Sequence, residues 1–128
     1  MCFSTRNPAV PSFHTVILAP EMRNSHDLMT TYSQSGRASA LNALANVIDK
    51  RVLPVLTSVD GHARWVKHVC ESGADIDVCG MNITAKRWRE LSESLRTVDP
   101  DNEAAITNAL AQFYHLAHIY GVTVVTTQ

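Results

Sequence analysis

The stretch from Asp99 to Gln128 constrains the fold of this chain more than any other. Asp99 is a good helix N-cap, and Pro100 suits a first helical position, where no amide donor is needed. Asp101 and Glu103 place negative charge where the helix dipole favours it. Ile106, Leu110, Phe113, Ala117 and Tyr120 then recur at the spacing that puts them on one helical face. Gly121 suits the left-handed residue that ends a helix. The run from Val122 to Thr127 is β-branched throughout and predicts a strand. A buried helix that turns directly into a strand must find both a helical layer and a second strand.

That second strand is predicted at 13–18, where Phe13-His14-Thr15-Val16-Ile17-Leu18 is stopped by Pro20. Its continuous apolar end predicts a well-covered position in the sheet. From Pro20 to Tyr32 the pattern is weak. Met22, Leu28, Met29 and Tyr32 fit a short helix, but Asn24, Ser25 and His26 favour a turn. Ser33 to Gly36 reads as a loop.

Arg37 to Lys50 is the second strong helix, with Leu41, Leu44, Ala45, Ile48 and Val52 on one face. Its alanines raise helicity and leave room for a second helix to approach. Pro54 disfavours helix at Leu53, so Val52 to Thr57 is expected to be extended. Ser58 or Asp60 caps a helix from about Gly61 to Ser72, with Trp65, Val66, Val69 and Cys70 on its apolar side. Ala74 to Val78 alternates like a short strand, and Cys79-Gly80-Met81-Asn82 reads as a turn. Thr84 is the expected N-cap of the next helix, with Ile83 and Trp88 at the spacing of a hydrophobic staple. Trp88, Leu91, Leu95 and Val98 mark its buried stripe.

The expected fold is therefore α+β and helix-rich, with about four helices packed on a small sheet that includes strands 13–18 and 122–127. The relative direction of the two strands stays open. Residues 1–11, with Pro8 and Pro11, read as an extended arm, and 12–128 as a single globular domain.

Charge narrows the function classes. Eleven Lys and Arg against twelve Asp and Glu give a net charge of −1, so no global field draws the chain to nucleic acid or an anionic membrane. Three cysteines (Cys2, Cys70 and Cys79), with no secretory signal, argue against a disulfide framework and for a soluble cytoplasmic protein. The longest apolar runs are too short to span a bilayer. Cys2 would become an N-terminal nucleophile after Met1 removal, but the hydrolases that use one need a much larger fold.

Several constellations carry candidate chemistry. His62, His68, Cys70 and Cys79 are zinc-ligand types within a short span, yet no Cys-x-x-Cys knuckle is present. Exposed histidines and one buried thiol are the plainer reading. His115 and His118 form a second pair on the last helix, also plainly read as exposed. No cofactor is implied. Ser58, Asp60 and His62, or the pair Asp75 and Asp77, are the material for a small hydrolase, but proximity in sequence does not make a triad. No phosphate loop, nucleophile elbow or metalloprotease motif accompanies them.

Lys86, Arg87 and Arg89, extended by Arg64 and Lys67, are compatible with a nucleic-acid reader. The plainer reading is a solvated face with Lys86–Glu90 and Arg89–Glu93 pairs. Finally, Tyr114, Leu116 and Ile119 lie off the main stripe of the last helix. That helix is apolar around more of its circumference than one contact requires, so it is either central in the core or meets a partner there. The strand that ends near Gln128 is a possible open edge. The sequence-based expectation is a small accessory or regulatory protein, of the kind phages and plasmids carry, that works by protein contact or self-association. A nucleic-acid-binding regulator is the alternative, and a small hydrolase or metal-binding protein comes third.

Overall fold

The computed structural model describes residues 13–72 and 81–127. The arm 1–11, the alternating segment Ala74 to Val78, and Cys79 lie outside the described residues. Strand β1 (His14–Leu18) and strand β2 (Val122–Thr126) pair in parallel, with His14 opposite Val122 and Leu18 opposite Thr126. A parallel pair needs a long crossover, and here the described helices lie within it. In order they are α1 (Ser25–Thr31), α2 (Gln34–Val47), α3 (Leu53–Thr57), α4 (Val59–Ser72), α5 (Met81–Thr97) and α6 (Glu103–Tyr120). The result is a helix-rich α+β fold.

α6 is the axis of the core. Ile106, Phe113 and Tyr120 are fully buried, and Leu110 and Ala117 nearly so. α5 packs along one side of it, α1 along another, and β2 folds back onto it. Gly121 ends the helix at φ 71°, where an L side chain is strained, and its N–H bonds the Ala117 carbonyl. The start of α6 differs from expectation. Asp99 and Pro100 form a β-turn instead, closed by Asn102 N–H to the Asp99 carbonyl at 3.0 Å. The Asp99 carboxylate accepts the Asp101 N–H at 2.9 Å, and Asn102 is the cap, accepting from Ala105 at 3.1 Å. A proline after an aspartate serves a turn as well as a helix start, and the next capping side chain took the role.

Three other boundaries differ from expectation. α2 starts at Gln34, inside the expected loop. Arg37 holds that start, donating to the Tyr32 carbonyl at 2.6 Å and the Pro100 carbonyl at 2.7 Å, and pairing with Asp101 at 2.9 Å. The expected turn at Asn24 is a cap for α1, with its side chain accepting from Asp27 at 2.8 Å. α5 starts at Met81, so Asn82 is helical and Thr84 lies buried within the helix rather than capping it. Ile83 is 44% exposed, so the expected staple with Trp88 is not made.

The segment around Pro54 is helical, not extended. Residues Ile48–Val52 form one wide π turn, and Leu53 N–H reaches back to the Ile48 carbonyl. α3 then begins with proline in its first turn, where the missing donor costs nothing. Burial of Ile48, Val52, Leu53 and Leu56 outweighs the local preference before proline. Ser58 caps α4 as expected, accepting the Gly61 N–H at 2.9 Å.

The aromatic residues join these layers. Trp65 on α4 stacks on Tyr120 at 5.0 Å and donates its indole N–H to the Tyr120 carbonyl at 3.0 Å. Trp88 on α5 meets Phe113 edge-on at 6.1 Å and Tyr120 at 6.2 Å. Among the described residues, no helix is long and apolar enough to cross a membrane.

Candidate contact surfaces

Among the described members of the metal and hydrolase constellations, His62, His68, Ser58 and Asp60 are each held by local contacts. His62 Nδ1 lies 3.0 Å from the Leu56 carbonyl, and its ring packs on Trp65 at 5.8 Å. His68 packs on Phe13 at 5.7 Å. Cys70 is exposed, not the buried thiol expected. Five residues beyond Trp65, it lies about 140° around the helix from the buried face. Among the described residues, no three His, Cys, Asp or Glu side chains gather as metal ligands would. Ser58 is a helix cap and Asp60 pairs with Arg64 at 3.1 Å, so neither is directed at His62.

The basic residues are divided between separate concavities. Arg64 and Lys67 border one with Phe13, His68 and Glu71, and the Arg64 guanidinium lies 5.9 Å from the Phe13 ring centre. Arg89 borders another with Glu90 and Glu93. Arg87 lies in a groove between α5 and α6, and Lys86 is exposed. The expected Lys86–Glu90 and Arg89–Glu93 pairs are not formed; the ion pairs among the described residues involve other side chains.

The α5–α6 groove has a volume of about 350 Å³, with Leu91 and Leu116 beneath Arg87, Glu90, Ser94, Gln112 and His115. Leu116 is 9% exposed and belongs to the core. Tyr114 lies elsewhere: it packs on Phe113 at 5.3 Å and donates its hydroxyl to the Met22 carbonyl at 3.0 Å. Burial pushes its phenol pKa up from the ordinary tyrosine value, and nearby Arg23 partly offsets this. Ile119 is half-buried against the core. The broad apolar circumference of α6 thus reflects its central position, and these three side chains do not form one outward patch.

The sheet supplies what the helix does not. Val16, Leu18 and Val122 point into the core, so Thr15, Ile17, Thr123 and Val125 face outward. Ile17 was expected to be covered, yet it is 64% exposed, and its register partner Val125 is 45% exposed. Among the described residues the helices cover one side of this two-stranded sheet, and one apolar residue of each strand lies on the other side. Alternation along β1 was the signal for this, masked because Val16, Ile17 and Leu18 are all apolar.

Among the described residues, one edge of β1 has no strand beside it. His14 N–H bonds the Gly121 carbonyl at 3.2 Å, and Thr127 N–H bonds the Leu18 carbonyl at 2.9 Å. Even-numbered residues of β1 therefore face β2, and the peptide groups of Thr15 and Ile17 point the other way. They find no backbone partner among the described residues.

Beside that edge runs an apolar cleft of about 240 Å³. Ile17, Leu18 and Ala19 form one wall, and Ala40, Ala43 and Val47 of α2 the other. Tyr32 closes one end, its hydroxyl 3.3 Å from Glu21. Desolvation first, then the Glu21 charge, holds that phenol above the ordinary tyrosine pKa. Comparison of the chain with protein-family models, curated proteins and solved structures returns no match.

Proposed function

We propose that this chain is a small accessory or regulatory protein that acts by protein contact, and that its contact surface is the outer side of the sheet. The observation that carries this reading is the side-by-side exposure of Ile17 and Val125 in register on a strand pair with no charged residue. Both residues sit on paired strands, and neither belongs to the core. Apolar side chains grouped in this way are what interaction surfaces retain. The test is affinity capture with the wild-type chain against Ile17→Lys/Val125→Lys. The expected result is at least about a tenfold loss of a captured protein, or about 1.4 kcal/mol of binding. Equal capture by both forms would remove the sheet from consideration.

A second reading, nucleic-acid binding, draws on the cations of α5. Lys86, Arg87 and Arg89 lack the carboxylate pairs expected for a solvated helix face. If they bind phosphates, a mobility shift should weaken steeply with salt, and Lys86→Gln/Arg87→Gln/Arg89→Gln should abolish it. A shift unchanged in the triple variant, or no shift at low salt, would rule this reading out.

A further inference from the structure

We infer that the partner at the β1 edge is a second copy of this chain, joined by antiparallel pairing of β1 with its symmetry mate. This goes beyond the reading of the outer face: edge pairing lies in the plane of the sheet and leaves Ile17 and Val125 on its outer side.

The edge itself is the first argument. Thr15 and Ile17 each present an N–H and a carbonyl outward. A twofold axis through Val16, perpendicular to the sheet, sets Thr15 of one copy opposite Ile17 of the other. Both residues then exchange reciprocal N–H to carbonyl bonds, the closely spaced pairs of an antiparallel ladder. No frayed donor remains on that edge. The joined sheet is β2-β1-β1-β2, which passes the threshold of three strands below which a sheet is marginal.

The edge carries none of the side chains that blunt strand edges. From Thr15 to Ala19 there is no charge, no proline and no glycine.

The cleft beside the edge gives the second argument. The same twofold carries α2 of both copies to one side of the joined sheet, next to each other. The α2 wall of the cleft is made of Ala40, Ala43, Leu44 and Val47, small enough in its two alanines for close approach. Residues 38–48 hold no charge, although Ser39, Asn42, Ala43 and Asn46 are exposed. The nearest charge at each end is engaged within the chain: Arg37 with Asp101, and Asp49 with Arg96 at 2.7 Å. A surface that meets its own copy must not set like charges together, and this one has none to set.

Sedimentation or light scattering of the full chain tests the inference. The wild type should run at twice 14.1 kDa and dissociate on dilution. Ile17→Pro removes one outward donor and leaves the β2-facing bonds, so it should run at the single mass. Ala43→Arg does not touch the strand and should also run at the single mass, with the helical circular dichroism of the wild type. Thr15 and Ile17 amides should exchange slowly in the double-mass species and fast in Ala43→Arg. A wild type at the single mass at every concentration overturns the inference. So does a double mass that survives both variants, or fast Thr15 and Ile17 exchange within it. Capture that Ile17→Lys/Val125→Lys abolishes, with a monomeric wild type, would leave the contact reading standing and reject the second copy alone.

Discussion

Trp65→Ala is expected to cost about 3–5 kcal/mol of unfolding free energy, a large part of the roughly 5–15 kcal/mol that holds a domain of this size. Trp65 is fully buried and is the contact through which α4 reaches the end of α6. The substitution removes the ring stacked on Tyr120 and opens a cavity beside it. It also strips the Tyr120 carbonyl of its indole donor. That carbonyl lies next to Gly121, where the helix turns into β2, so the loss reaches the strand pair. Trp65→Phe separates the two effects. It keeps an aromatic ring and loses the N–H, and should cost about 1–3 kcal/mol. Urea unfolding followed by circular dichroism reads both. A loss under about 1 kcal/mol for Trp65→Ala would mean that α4 does not depend on this contact.

Gly61→Ala should destabilise the chain by about 3 kcal/mol, although helix propensity alone predicts a gain of about 1 kcal/mol. The opposite signs make the measurement decisive. Gly61 lies in the first turn of α4, just after the corner with α3. A Cβ there would collide with the Val55 carbonyl oxygen and come within 2.7 Å of Ser58 Oγ. The first obstacle is backbone and cannot rotate away. The second is the cap of α4, which bonds the Gly61 N–H. Relief requires the α3–α4 corner to open, and Leu56, fully buried beneath it, would be displaced. A thermal midpoint equal to or above that of the wild type would show that the corner is looser than this geometry.

Both substitutions act on elements that differ in how visible they are before folding. Trp65 stands on an amphipathic stripe, and its burial follows from helical spacing. Gly61 gives no such signal: a glycine near a helix start reads as a weak former, and only the path of α3 shows why no side chain fits. Pro54 is a similar case. Read locally it ends a helix, but a π turn and burial of its apolar neighbours carry the chain through it. Asp99 and Thr84 are good caps by residue type. Each lost that role to a start a few residues away, because a capping preference of about 1 kcal/mol is smaller than the packing that sets a helix axis.

The candidate surface was less legible than the core. Tyr114, Leu116 and Ile119 were drawn from a helical projection, which shows what is apolar but not how many neighbours surround the helix. α6 has α5, α1 and β2 around it, and those side chains are absorbed. Ile17 is hidden in an apolar run, and its exposure follows from a two-stranded sheet whose described helices lie on one side.

By itself, the order of residues determined the last helix, its glycine stop and the two β-branched strands, because periodicity, left-handed glycine and β-branching act within a few residues of each other. It also determined which faces are apolar. Only the tertiary structure decided that the strands run parallel, that the chain stays helical through Pro54, and that Ile17 and Val125 meet on the outside. Those outcomes depend on contacts between residues far apart in the chain, whose summed burial outweighs any local preference.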